Sequence, residues 1–291
     1  MLKPSDAVTL LGVKGGPSLV KGGSIPSSSR LKMADKTFLI DCGIGATRAL
    51  VEASTTLDEL DGIFITHLHS DHLLDLGPLL YTAWTSGLQK SIKVFGPKGI
   101  QEYWEGFLDA MSFDHDIRTK DDRRMPISEF VEYTAYDEGH VLSWGDIDVK
   151  AFRVDHPPVT DCFALRFETS KTSVVFSADT CYFPPLAGFA KGADLLVHEA
   201  MLSSGIDALV KRIKGAPGLK NHLMTSHTMT EDVAKIARDA NVGQLLLNHL
   251  VPADDPDLKD EDWVRAIRSN WDGPVTIGKE GLTVLLKPEQ T

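Results

Sequence analysis

The sequence predicts an α/β fold in which two β-sheets pack face to face and carry helices on their outer sides. Three observations predict it. Apolar runs of strand length alternate with segments of helical period along the chain. An order of strands followed by helices occurs twice, once in each half. Several of the strand-like runs also end in His or Asp, so they converge on one functional edge rather than belonging to unrelated units.

Taken in order, Val8 to Val13 and Thr37 to Ile40 read as strands, joined by a loop rich in Gly, Ser and Pro between Gly15 and Ser29. Cys42-Gly43-Ile44-Gly45 is a turn feeding a helix from Ala46 to Ala53. The strand Ile63 to Thr66, the helix Asp75 to Ser86, the strand Ile92 to Phe95 and the helix Pro97 to Met111 follow. Residues 112–128 are the most polar stretch and read as a surface excursion without a domain boundary. The second half restarts with strands at Phe130 to Ala135, Ile147 to Val154, Cys162 to Phe167 and Ser173 to Ala178. Thr230-Glu231-Asp232 then gives a helix an N-cap and an acidic first turn, with Val233, Ile236, Ala237 and Ala240 at helical spacing behind it. Gln244 to Leu247 is a buried strand ending at Asn248-His249, and Glu261 to Ile267 is a helix carrying Trp263. One domain over residues 1–291 is expected.

At 291 residues and 42% hydrophobic composition, the chain can bury an ordinary core. Its net charge of −11 weighs against a general polyanion binder, because phosphate backbones are gripped by clustered Lys and Arg. Cys42, Cys162 and Cys181 lie far apart with no CxxC spacing, so neither a disulfide framework nor a thiolate zinc site is indicated, and a cytoplasmic location is the expectation. The start, Met1-Leu2-Lys3-Pro4, precedes an apolar run too short and too interrupted by Gly and Pro for a signal peptide's core. No run approaches the roughly 20 apolar residues of a membrane span.

The chemistry concentrates in Phe64-Ile65-Thr66-His67-Leu68-His69-Ser70-Asp71-His72-Leu73. Residues two apart on a strand share a face, so His67 and His69 leave the strand end pointing the same way. Asp71 and His72 fall in the turn beyond and address a second point nearby. A solvated histidine-rich loop is the plain alternative, but such loops do not sit between a buried strand and an apolar helix. Imidazole with carboxylate is a ligand set for zinc or a similar divalent ion. Three other strand ends add His156, Asp179 and His249, each weak alone.

The ordered set HxHxDH, lone His, strand-end Asp before Thr, and late strand-end His resembles the metallo-β-lactamase-fold hydrolases, in the ribonuclease Z and arylsulfatase-like branch. The resemblance extends to Leu11-Gly12, Leu39-Ile40-Asp41-Cys42-Gly43, Gly96-Pro97-Lys98-Gly99, Ser177-Ala178-Asp179-Thr180, Val197-His198-Glu199-Ala200 and His227-Thr228-Met229-Thr230. It implies a four-layered αβ/βα sandwich. It implies two divalent metals, zinc first and manganese or iron second: His67, His69 and His156 on one, Asp71, His72 and His249 on the other, and Asp179 between them. The expected function is hydrolysis of a small ester-type substrate by metal-activated hydroxide, the ester being a phosphodiester, sulfate ester, carboxylic ester or lactone. Ribonuclease Z-like processing of RNA is the alternative, and a non-catalytic metal-binding protein the third reading. The partners expected are a small anionic molecule and a second copy in a homo-oligomeric dimer, with nucleic acid disfavoured though not excluded and no membrane.

The resemblance also assigns Asp71 to orienting the nucleophile, and His227 paired with Glu199 to protonating the leaving group; a structural hydrogen bond is the competing reading for that pair. Tyr81 and Trp84, one helical turn apart, are candidates for an aromatic substrate wall, against the commoner fate of core packing. His198 is expected to pack beside the site, while His222 lies close enough in sequence to His227 to enter it. Cys181 reads as a pocket residue or a small filler, and His115 and His140 carry no motif. Two departures stand out. Ala178 stands where the family often has Gly before the bridging Asp. Residues 157–178 hold only a loop and two strands, where bacterial-type ribonuclease Z carries its long tRNA-gripping arm, and this lowers the RNA reading.

Overall fold

The computed structural model describes residues 6–287; the Met1 to Pro4 start lies outside them. The first half contains β1 (Ala7–Gly12), β2 (Ser28–Met33), β3 (Lys36–Ile40), α1 (Ala46–Glu52), β4 (Gly62–Phe64), α2 (Ser70–Leu73), α3 (Leu76–Thr85), β5 (Ile92–Gly96), α4 (Ile100–Ala110), α5 (Ser112–Lys120) and β6 (Val131–Ala135). The second contains β7 (Gly139–Trp144), β8 (Ile147–Arg153), β9 (Phe163–Glu168), β10 (Ser173–Phe176), α6 (Pro185–Phe189), β11 (Leu195–Met201), α7 (Ser203–Arg212), α8 (Leu219–Ser226), α9 (Thr230–Ala240), β12 (Gln244–Val251), α10 (Asp260–Arg268), β13 (Val275–Ile277) and β14 (Thr283–Leu285).

The strands form two seven-stranded sheets in the orders β14-β1-β2-β3-β4-β5-β6 and β13-β12-β11-β10-β9-β8-β7. Each sheet is half antiparallel and half parallel: β3 to β6 run parallel in one, β10 to β13 in the other. The period-two alternation along the strands decides the layering. Phe38, Ile40 and Phe64 enter the core shared with Phe163, Leu165, Phe167, Val174 and Phe176 of the opposite sheet, and Phe64 meets Phe167 edge-on at 4.9 Å. Their neighbours Leu39, Ile63 and Ile65 face outward under α1, α3 and α4, while Val175, Leu245 and Leu247 face outward under α6, α9 and α10. Strands buried on both faces make a four-layered α/β sandwich, as the sequence predicted.

Several details differ from the sequence reading; Asp71 and His72, expected in a turn, lie in the short helix α2. The polar excursion at 112–128 lies at the surface as expected, but its first part is helical: α5 has no buried residue and is sustained by the i,i+4 ion pairs Asp114–Arg118 at 2.7 Å and Asp116–Lys120 at 3.0 Å. The helix expected from Pro97 begins at Ile100, because Gly99 at φ 102° makes the turn before it. Thr230 is the first residue of α9 rather than its cap, and its hydroxyl donates to the Met201 carbonyl at 3.0 Å. The strand expected to stop at Asn248-His249 continues to Val251 through a bulge opposite Glu199 and Ala200.

Candidate functional site

The site forms at the carboxyl ends of the parallel strands and of the antiparallel strand β8. His67 and His69 follow β4, His156 follows β8, and Asp179 follows β10. His249 sits in the β12 bulge at φ 41°, a conformation that turns its ring out of the strand's alternation and into the same space. A parallel strand leaves its carboxyl end open beside the next crossover, which is why ligands gather at this edge.

Three groups of potential ligand atoms result among the described residues; Glu199, His227 and His249 form the smallest, and the other two hold the expected ligands. His67, His69, His156 and Asp179 form one, and Asp71, His72, Asp179 and His249 the other, with the atoms of each within 4.8 Å of one another. Asp179 is common to both. Its Oδ2 lies 3.1 Å from His249 Nε2, 3.3 Å from His72 Nε2 and 3.8 Å from His67 Nε2, while its buried Oδ1 has no hydrogen-bond partner. His69 Nδ1 stands 3.1 Å from His67 Nε2 and 3.2 Å from His156 Nε2.

The outer nitrogens decide which tautomers are present. Thr66 commits its hydroxyl hydrogen to Asp41 at 3.0 Å, so its oxygen accepts from His67 Nδ1 at 3.1 Å. His72 Nδ1 donates to Asp41 Oδ2 at 2.8 Å, and His156 Nδ1 to the Ser226 carbonyl at 2.8 Å. Each arrangement leaves the Nε2 lone pair facing inward, the orientation that partners outside a metal centre impose on ligating histidines. Burial pushes His67 well below the ordinary histidine value and His156 down to about 4, so both are neutral donors at pH 7. Burial also pushes the Asp179 carboxyl up, but His249, His72 and His67 outweigh it and hold it well below the usual carboxylate range. For His72 burial opposes the charge, yet Asp179, Asp41 and Asp71 raise it well above the ordinary value. Convergent lone pairs, buried carboxylates and an orphaned Asp179 oxygen fit divalent cations.

Asp41 and the Gly-rich loop are parts of the site to which the sequence reading gave no role. Asp41, at φ 59°, also accepts the Thr66 backbone N–H at 2.8 Å and so ties the first ligand strand to His72. An acidic residue directly after an apolar strand was the signal available. The Gly16 backbone N–H donates to Asp71 Oδ2 at 2.8 Å. Gly15 has to be glycine for space, since a Cβ there would lie 2.9 Å from the His249 ring and 2.4 Å from Val251. Ala178 sits at φ 56°, the left-handed region where glycine is strain-free.

His227 Nδ1 lies 2.7 Å from Glu199 Oε2, and Glu199 Oε1 accepts the Thr180 N–H at 2.5 Å. Burial opposes charge on His227, but Glu199 raises it to about 9. His69, Asp71, Asp179 and His249 of these groups, with His227, line a cavity of about 710 Å³ together with Lys14, Gly16, Arg212 and His222. His222 thus joins the site, its ring centroid 5.8 Å from that of His227. Lys14 is paired with Asp254 at 2.5 Å and Arg212 with Asp255 at 3.4 Å.

Other expected residues lie elsewhere. Tyr81 and Trp84 do not reach the cavity: both are buried under α5, where Tyr81 Oη donates to Asp114 at 2.8 Å and Trp84 Nε1 to the Met125 carbonyl at 2.9 Å. The face of α3 that follows the ligand motif packs inward, and it takes the aromatic pair with it. His198 is buried between the sheets, with Nδ1 2.7 Å from the Glu199 carbonyl oxygen, and lines a void of about 30 Å³ beneath the ligands. Cys181 contacts Asp155 at 3.3 Å, His140 bonds to Ser143 at 3.0 Å, and His115 stacks on Trp84 at 5.3 Å.

Residues 10–247 match the family model described as Anti-Pycsar protein Apyc1. Ribonuclease Z of Mycolicibacterium gilvum is 31% identical over 285 residues, covering 97% of this chain and 96% of that protein. Among solved structures, the metallo-β-lactamase-fold protein YhfI from Bacillus subtilis superposes with a TM-score of 0.71 at 23% identity, covering 97% of this chain and all of that one. The short form of human tRNase Z gives 0.68 at 19% identity, again covering 97% of this chain and all of that one. No described helix is long and apolar enough to cross a membrane.

Proposed function

We propose that this chain, which belongs to the Apyc1 family of metallo-β-lactamase-fold hydrolases in the ribonuclease Z-like branch, is a phosphodiesterase that works with two divalent metals, zinc foremost. The observation that carries the reading is the pair of ligand groups sharing Asp179 at the floor of one cavity. His67, His69 and His156 would hold one ion, Asp71, His72 and His249 the other, with Asp179 between them. Bound there, paired divalent ions supply a nucleophilic water at neutral pH and steady charge on phosphoryl oxygens. The chain's own residues do the rest. Asp71, braced by the Gly16 N–H, orients the water. His227, held through Nδ1 by Glu199, presents Nε2 to the leaving oxygen as the proton donor. Lys14 and Arg212 line the cavity that receives an anionic substrate.

A phosphodiester is preferred to a sulfate or carboxylic ester because a ribonuclease is 31% identical over nearly the whole of both chains. The cavity has the volume of small-molecule sites, which favours a small diester. The same relative favours a second reading, an RNA strand whose scissile phosphate enters the cavity. The missing arm does not decide between them, since this chain covers 96% of that relative's length. Metal content together with kcat/KM on bis(4-nitrophenyl) phosphate, 4-nitrophenyl sulfate and 4-nitrophenyl acetate tests the bond type. Faster turnover of the sulfate or the acetate would reject the phosphodiester, and efficient cleavage of precursor tRNA at physiological salt would select the RNA reading.

A further inference from the structure

The cavity is larger than a phosphate on two metals requires, and its outer wall has a chemistry of its own. From the ligand cluster it runs along α7 and α8, where Leu209, Ile213 and Leu219 expose half-buried apolar surface beside His222 and Arg212. The hairpin has a separate small core, in which Ile206 and Leu223 pack with Met201 and Val251; Leu209 and Leu219 lean on it and Ile213 does not. Apolar side chains facing water beside a metal centre are a cost unless something covers them in use.

Two geometric facts say which part of a substrate would do so. His227 immediately follows α8, its ring centroid 5.8 Å from that of His222, and is the proton donor in the reading above, so a leaving group that takes its proton from His227 would stand beside the hairpin. His222 stands next to it with a fixed tautomer. The Ser226 hydroxyl donates to the Pro157 carbonyl at 2.6 Å, so at 3.2 Å its oxygen accepts from His222 Nδ1. The neutral His222 ring then offers Nε2 as an acceptor, and that atom has no partner among the described residues. The Arg212 guanidinium is only loosely paired, at 3.4 Å from Asp255, and a planar cation at a cavity rim stacks well on rings.

We infer that the α7–α8 hairpin is a leaving-group subsite for a ring-bearing alcohol, with Leu209, Ile213 and Leu219 as its apolar wall and His222 and Arg212 as its polar rim. The inference rests on the phosphodiesterase reading and deepens it. Isothermal titration of the metal-loaded full chain with methyl phosphate and phenyl phosphate tests both separately, because the two ligands share charge and differ by the ring. Phenyl phosphate is expected to bind roughly tenfold tighter than methyl phosphate, the scale of a partly buried aromatic ring. Ile213→Ser, outside the hairpin's core, should at least halve that advantage, and Leu209→Ala with Ile213→Ser should remove most of it. Methyl phosphate affinity and metal content should stay constant in both variants. Equal binding of the two ligands by the native protein overturns the subsite while leaving the phosphate reading intact. A preference for phenyl phosphate that Ile213→Ser leaves untouched places the ring on another wall and overturns the hairpin's role. Binding of neither ligand overturns the phosphodiesterase reading and the subsite together.

Discussion

The floor and the wall of the cavity are built by opposite means. On the floor the candidate ligands hang from sheet strands, from the turns after them or, for Asp71 and His72, from the short helix α2, and the outer nitrogens of His67, His72 and His156 are anchored by Thr66, Asp41 and the Ser226 carbonyl. On the wall, α7 and α8 are two short helices joined by residues 213–218, standing on a small apolar cluster with a surface ion pair, Lys220–Asp207 at 2.6 Å, between them. The difference teaches a division of labour. Groups that would have to meet a metal within tenths of an ångström are over-determined by close packing and hydrogen bonds, whereas a surface that would only select shape tolerates looser support.

The comparison breaks most completely at Asp179. Asp179→Ala should strip both metals and lower kcat/KM by roughly 10³-fold or more, since the variant removes the one oxygen pair common to both ligand groups. Elemental analysis beside kinetics checks it, and full metal occupancy with near-native turnover would refute the shared-ligand assignment. Next in size is His227→Ala. It should keep both metals and lower kcat about 10² to 10⁴-fold on poor leaving groups, and far less on 4-nitrophenolate, which departs as an anion. Glu199→Gln should give a milder form of the same pattern. A uniform loss across leaving groups with a lower Tm would instead make His227 a strut.

The same pair sets a pH limb. The Glu199 carboxylate raises His227 to about 9, so the acid form persists through neutral pH and kcat should fall as pH rises through that value. Bound cations nearby shift the limb downward, so it is expected at or below about 9, and His227→Ala should abolish it on poor leaving groups. A smaller effect sharpens the contrast between floor and wall: Asp41→Asn should weaken metal binding by about 10 to 100-fold through His72, without changing the preference between phenyl and methyl phosphate. Competition with a chelator measures the first quantity and titration the second. The smallest change is Ala178→Gly. Relieving the left-handed alanine should raise stability by about 0.5 to 1 kcal/mol, read as a higher denaturant midpoint with metal affinity retained.

Much of the floor was legible because its signals are local. Apolar runs of strand length marked the buried strands, in which the structure turns Phe38, Phe64 and Phe176 toward the other sheet and Leu39 and Val175 toward the helices, and a His or Asp directly after such a strand marks the open edge. Exposed elements were harder to read: α5 lives on i,i+4 ion pairs rather than an apolar face, and the edge strand β7 has no buried residue to give it a period.

The sequence alone determined the layer order and which residues could serve as ligands, since periodicity and residue type are properties of neighbours along the chain. Tertiary structure alone decided where His249 points, because its bulge arises only in register with Glu199 and Ala200. It alone gave Asp41 its place behind His72 and sent Tyr81 and Trp84 under α5 instead of into the cavity. Each of these depends on which surface meets a segment distant in sequence, and that choice is made by packing between layers, which no local pattern encodes.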